Sequence, residues 1–220
     1  MIIKQDRENF HMLNFLDKFM VGHNGYIAGG CFKNIFNDEK IKDIDIFFEK
    51  ATDFDEAVSY FDSMTEGYTG SNKMEVQYNF YYENDNVKAY KHIGSGIVLE
   101  LCRKSFNDAK SMIENFDFTI TKFAYFKEEV EDTDVETGAT TKHIEYSVLY
   151  DDKFFEHLHT NRLVVDDKIL FPMSTFERMI RYIKYGYMPC RETKLKIANA
   201  IHDEDIENIL VNKSLYDGMD

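Results

Sequence analysis

Apolar positions along the chain alternate between the period of a helix and that of a strand. Over residues 5–20, Phe10, Leu13, Leu16, Phe19 and Met20 recur at helical spacing among polar neighbours. This predicts an amphipathic helix that ends near Gly22, with Asn24-Gly25 as a turn signal. Residues 27–28 read as a short apolar strand broken at Gly29-Gly30. A helix-like segment over 31–36 follows, then a second strand over 41–48. Asp53 is placed to cap a helix over 54–64, with Phe54, Val58 and Phe61 turned inward.

After a polar loop at 67–72, three extended segments are predicted over 75–82, 87–93 and 97–102. Asn84-Asp85-Asn86 and Gly94-Ser95-Gly96 serve as the turns between them. A short helix over 107–116 leads to a hairpin of strands 119–126 and 142–150 around a polar, acidic loop at 128–141. A helix over 151–159 and a small extended pair over 161–171 come next. From Ser174 the pattern is helical only. Ser174 to Glu177 has the spacing of a capping box, Phe176, Met179, Ile180 and Ile183 form an apolar stripe, and Arg178, Arg181 and Lys184 recur at spacings of three. Two short helices follow, over 191–202 and 203–211. The order predicts a mixed α/β (α+β) head over residues 1–172 and a small helical appendage over 173–220.

Composition narrows the class. At 220 residues, 44% hydrophobic and 30% charged, the chain can bury a substantial core. Its first ten residues are polar and lack the apolar run of a secretory signal, and no stretch is long and apolar enough to span a bilayer. Cys31, Cys102 and Cys190 are odd in number and far apart, which suggests neither a disulfide framework nor a zinc knuckle. The expectation is a cytoplasmic protein with no membrane partner. Forty acidic against 26 basic residues leave a net charge of −14, which disfavours broad, salt-driven binding to nucleic acid. The charge is uneven: 128–136 is acidic, whereas 178–196 carries six cations against Glu192. Two prolines, no Trp and many Lys, Asn, Ile and Tyr hint at an AT-rich genome, of a phage or low-GC bacterium.

The candidate chemistry lies at Asp43 and Asp45. Two residues apart on a strand, they project from one face while Ile44 and Ile46 point into the core. Two carboxylates beside a glycine turn suit a divalent metal and a polyphosphate. Glu100 sits in an otherwise apolar run, Ile97 to Cys102; it either meets solvent or a cation, or closes a metal site with the two aspartates. His157 and His159 have no third ligand in register and read as surface histidines rather than a zinc site.

These residues resemble the signature of the DNA polymerase beta nucleotidyltransferase superfamily. Within it they are most similar to the head of class II CCA-adding enzymes and bacterial poly(A) polymerases. Gly29, Gly30, Lys33, Asn34, Asp43 and Asp45 fall at matching places of its G-G-x-V-R-D and D-x-D elements, with Lys33 where the family has Arg. Leu99-Glu100-Leu101-Cys102-Arg103 resembles the stretch with the third carboxylate. Residues 117–124 resemble the R-R-D-F-T-I-N-A segment, with Asn115 and Phe116 in place of its arginines and Thr121 in place of its Asn. Phe176 to Tyr187 resembles the basic helix that enters the neck.

The resemblance implies a nucleotidyltransferase using two Mg²⁺ ions on Asp43, Asp45 and Glu100, with NTP as substrate. It places Gly29, Gly30, Lys33, Asp117, Arg178 and Arg181 around the nucleotide, although Asp117 also fits a turn cap and the arginines a solvated helix face. The implied acceptor is a hydroxyl of RNA or tRNA. Full CCA addition is not expected, because class II enzymes continue into a long helical body. Two alternatives stand beside this: transfer to a protein, and a non-catalytic descendant that binds nucleotide or protein.

Overall fold

A computed structural model describes residues 1–66, 76–133 and 140–203, together with the backbone of 68–69 and 72–73. Its centre is an eight-stranded mixed sheet in the order β1-β10-β9-β2-β3-β8-β7-β6. The strands are β1 (Ile2–Asp6), β2 (Tyr26–Ala28), β3 (Asp43–Phe48), β6 (Tyr78–Glu83), β7 (Val87–His92), β8 (Val98–Ser105), β9 (Phe123–Thr133) and β10 (Thr140–Asp151). Among the described strands of this sheet, only β3 and β8 run parallel; the chain between them includes α2 (Ala51–Glu66), which serves the crossover that a parallel pair needs. Two short pairs lie outside the sheet: β4 (Tyr68–Thr69) with β5 (Asn72–Lys73), and β11 (Arg162–Leu163) with β12 (Met188–Pro189).

The larger core lies on one face, where Ile44, Ile46, Phe48, Leu99 and Leu101 meet α1 (Cys31–Phe36), α2 and α4 (Phe154–His159). The other face has a smaller cluster in which Ala109, Met112 and Ile113 of α3 (Ala109–Glu114) cover Tyr26, Ala28, Phe47 and Ala124. Asp108 caps α3, with its carboxylate accepting from the Ser111 N–H at 2.6 Å. α5 (Pro172–Lys184) and α6 (Arg191–Asp203) complete the described chain.

Several elements depart from the sequence reading. The expected helix over 5–20 is instead strand β1 followed by a 3-10 helix, His11–Phe19. Phe10, Leu13, Leu16 and Phe19 lie three apart and all are buried, which suits three residues per turn better than 3.6. Helix α2 begins before Asp53, which therefore sits in its first turn and complements the helix dipole there. The loop expected over 128–141 is largely strand, paired out to Thr133 and Thr140; residues 134–139 lie outside the described residues. The strand expected from 119 starts with a 3-10 turn, Thr119–Thr121.

The extended pair expected over 161–171 does not fold on itself. β11 pairs in parallel with β12, and Val165 bridges Phe118. His157 is no surface histidine: it is buried, with Nδ1 2.7 Å from the Thr119 hydroxyl, whereas His159 is exposed. Most of the helix expected over 203–211 lies outside the described residues, as does the start of the strand expected from 75.

Buried His23 links the 3-10 helix to β2. Its Nε2 donates to the Phe19 carbonyl at 2.8 Å, and its Nδ1 accepts from the Gly25 N–H at 3.0 Å. Both contacts suit the neutral ring, and burial lowers the imidazole pKa to about 4. Between that value and the ordinary 6.5, the unfolded chain binds the extra proton, so stability is full above pH 6.5 and falls as pH drops. The expected loss is about 2 kcal/mol between pH 7 and pH 5 from this group. Urea titrations at the two pH values should show it, and His23→Asn should flatten that slope; equal slopes in the two proteins would refute the assignment.

Candidate active site

The site is built where β2, β3 and β8 lie side by side. β2 ends at Ala28, and the φ of +101° at the following Gly29 is a conformation that side chains rarely adopt. A Cβ there would sit 3.4 Å from Asp45 Oδ2. The Gly29 N–H donates to the Phe123 carbonyl at 3.1 Å, so it is engaged in the fold, and Gly30 opens α1.

On β3, Asp43 is exposed and Asp45 half-buried, while Ile44 and Ile46 are fully buried on the opposite face. The parallel register sets Asp45 directly beside Glu100 of β8, and Asp43 beside Val98. The structure thus brings all three carboxylates to one face of the sheet. Glu100 accepts a hydrogen bond from the Tyr82 hydroxyl at 2.7 Å. Burial first, and then the Glu100 carboxylate, push that phenol far above its ordinary pKa, so it remains a donor. Cys31 and Cys102 also feel these acids: burial, followed by the charge of Asp45, raises both thiols well above their usual range. Neither is poised as a nucleophile.

Two adjoining clefts that share Gly30 and Tyr182 open onto the aspartates, the first at Asp45 and the second at Asp43. The first, about 800 Å³ with its open mouth, runs from Asp45 past Phe47, Phe106, Phe116 and Phe171 to Asp117 and Arg178. Phe116, where the resembling family has arginine, packs edge-on against Phe47 at 6.0 Å. It makes this wall apolar. The second, about 1180 Å³ with its open mouth, is lined by Lys33, Lys40, Lys42 and Arg181 together with Asp43 and Glu39. Lys33 is buried, hydrogen-bonded to Asn34 and 3.3 Å from Glu39, with its ammonium 5.3 Å from the centre of the Tyr185 ring.

Asp117 and Arg178, predicted beside the nucleotide, meet each other. The Asp117 carboxylate accepts from Arg178 Nη2 at 2.7 Å, from its Nε at 3.0 Å, and from the Thr175 hydroxyl at 2.7 Å. Asp117 is thus a buried ion-pair anchor for α5 rather than a turn cap. This anchor also sets how α5 lies. The helix starts at Pro172 with no side-chain cap, so Ser174 forms no capping box. Its buried residues are Pro172, Thr175, Met179 and Tyr182, so Met179 is buried as expected while the rest of the expected stripe is replaced by the neighbouring positions. Phe176, Ile180 and Ile183 remain 38–40% exposed. Of the three spaced cations, Arg178 turns to Asp117, Arg181 lines the second cleft and Lys184 is exposed.

Sequence reasoning missed Tyr82, Lys40, Lys42 and Lys104. Lys104 lines the first cleft, and burial lowers its pKa. Lys40 and Lys42 had a signal in their closeness to the D-x-D strand, and Lys104 in its closeness to Glu100; Tyr82 had none, because its role depends on register. Among the described residues, no three His, Cys, Asp or Glu side chains form a ready-made metal cage. The donors do fit Mg²⁺ in kind. They are hard carboxylate oxygens on one face, and Mg²⁺ sites commonly use one or two carboxylates completed by substrate phosphates. No helix among the described residues is long and apolar enough to cross a membrane.

Solved structures with this fold include a CCA-adding enzyme in complex with ATP, at a TM-score of 0.56 and 16% identity, covering 94% of this chain and 48% of that one. The Thermotoga maritima CCA-adding enzyme complexed with tRNA aligns at 0.54 and 14%, covering 92% and 47%. At these identities the likeness is one of fold, and the fold is that of nucleotidyltransferases. In sequence, the chain is 25% identical over 194 residues to "Gabija anti-defense 2" of Bacillus phage SPbetaL7. The match covers 88% of this chain but 41% of that protein, so the chain spans about two fifths of its relative's length. The model of the Gabija anti-defense 2 family protein matches residues 6–161, and the chain belongs to that family.

Proposed function

We propose that this chain is a Mg²⁺-dependent nucleotidyltransferase that moves a nucleoside monophosphate from an NTP to a hydroxyl, and that this chemistry opposes Gabija defence. The observation that carries the reading is the carboxylate face: Asp45 opens onto the apolar cleft with Glu100 register-matched beside it, and Asp43 lines the neighbouring, cation-lined cleft. Lys40, Lys42 and Arg181 would offset the charge of a triphosphate lying in that cleft. The apolar cleft beside it, walled by Phe47, Phe106, Phe116 and Phe171, would take the base by stacking and exclude water. The Asp117–Arg178 pair would hold α5 in place as the far wall. Mg²⁺ bound by Asp43, Asp45 and Glu100 would stabilise the charge that develops on the transferring phosphoryl group.

RNA is one acceptor class, as for the tRNA-bound structural relative. The net charge of −14 and the relative's anti-defence name favour a target within the host's defence machinery. A second reading, a non-catalytic binder of nucleotide or protein, draws on Lys33 and Phe116 at positions where the resembling family has arginines, and on the ties of Lys33 to Asn34 and Glu39.

The test supplies each α-labelled NTP with Mg²⁺ to the protein, with either total RNA or extract from cells with and without Gabija as acceptor. Asp43→Ala/Asp45→Ala is the control. Label on a Gabija-dependent protein band, lost in the control, is the expected result, and label on RNA would redirect the acceptor assignment. NTP binding without transfer to any acceptor would favour the binding-only reading.

A further inference from the structure

We propose that Tyr82 is a positioning residue for the Glu100 carboxylate, delivered to it by a bulge in the edge strand of the sheet. This rests on the reading of Asp43, Asp45 and Glu100 as a metal-binding face. The paired registers define one row across the sheet: Tyr82 opposes Ala89, Ala89 opposes Glu100, Glu100 opposes Asp45, and Asp45 opposes Ala28. Adjacent strands lie roughly 5 Å apart, so Tyr82 starts two strands away from Glu100. Its side chain reaches across because only the methyl of Ala89 stands between them, and the hydroxyl closes to 2.7 Å.

That row exists because β6 is irregular. Phe80 pairs with Tyr90, but the next pair is Tyr82 with Ala89, leaving Tyr81 as the extra residue of a bulge. In a regular ladder Tyr81 would oppose Ala89, and Tyr82 would point to the other face. Tyr81 is instead 54% exposed, while Tyr82 is half-buried on the carboxylate face. Bulges at sheet edges commonly re-aim a side chain in this way.

Glu100 has a particular need for such a partner. Its side chain has one more torsion than those of Asp43 and Asp45, and the last of them, about the bond to the carboxylate, is broad and unrestrictive by itself. A hydrogen bond to one oxygen restrains that rotation. Outer partners that orient a ligand in this manner affect metal affinity without touching the metal.

The test uses Mn²⁺ alone as the probe, titrated by electron paramagnetic resonance into the purified full chain and into Tyr82→Phe, Glu100→Gln and the double variant. Phenylalanine keeps the ring and removes only the hydroxyl, and a thermal melt verifies the fold of each protein. Tyr82→Phe is expected to weaken Mn²⁺ binding about tenfold, and the double variant to bind no more weakly than Glu100→Gln alone. Wild-type affinity in Tyr82→Phe, multiplying effects in the double variant, or a wild-type chain that takes no Mn²⁺ would each overturn the proposal. Coupled loss of Mn²⁺ affinity in a protein that transfers no label would retire the transferase reading and leave the role of Tyr82 standing.

Discussion

Asp45→Asn is expected to lower nucleotidyl transfer by roughly a hundredfold to a thousandfold, the scale seen when one preorganised electrostatic group is removed from a reaction centre. Asparagine keeps the size of the side chain, so the half-buried slot on β3 beside Gly29 stays filled. What changes is the charge in the middle of the row, flanked by Glu100 on one side and Ala28 on the other. The melting temperature should therefore hold or rise slightly, because removing one of two neighbouring acids relieves their repulsion. Steady-state transfer from labelled NTP and a thermal melt of the same preparation check both halves. Transfer within tenfold of wild type in a folded variant would mean that the chemistry is elsewhere.

The second large effect is on stability. Asp117→Ala is expected to destabilise the protein by about 3 kcal/mol, the lower end of the range for breaking a buried ion pair. The aspartate is buried, and the substitution strips three hydrogen bonds at once, leaving the Arg178 guanidinium and the Thr175 hydroxyl facing an empty site. For a chain of this size that corresponds to about 10 °C in the melting temperature. Asp117→Asn should lose less, since an amide oxygen still accepts from Thr175. Circular dichroism melts of the two variants decide it. A shift below about 2 °C for alanine would show that α5 is held by its Met179 and Tyr182 contacts alone.

Both predictions concern residues whose identity was legible in the chain and whose partners were not. The break from β2 into α1 was readable to the residue, because paired glycines end a strand and Gly29 needs a positive φ. The two inward isoleucines flanking Asp45 were readable for a similar local reason, the two-residue period of a strand. The three-residue spacing of Phe10, Leu13, Leu16 and Phe19 was visible as well, although it meant a 3-10 helix.

The sequence by itself therefore determined the strand break at Gly29-Gly30 and the face that Asp43 and Asp45 share on their strand. Tertiary structure alone decided what lies across from them. The pairing of Asp45 with Glu100 joins residues 55 positions apart through the β3–β8 register, and strand registers answer to packing over the whole sheet. The bulge that turns Tyr82 toward Glu100 is one inserted residue with no compositional mark. The face that α5 buries was likewise set by Asp117, which pulls Thr175 and Arg178 inward. A helical stripe of Phe176, Met179, Ile180 and Ile183, of which Met179 is buried, was a fair expectation from periodicity. A buried carboxylate that must be paired outweighed it, because leaving such a charge unmet costs more than leaving three apolar side chains partly exposed.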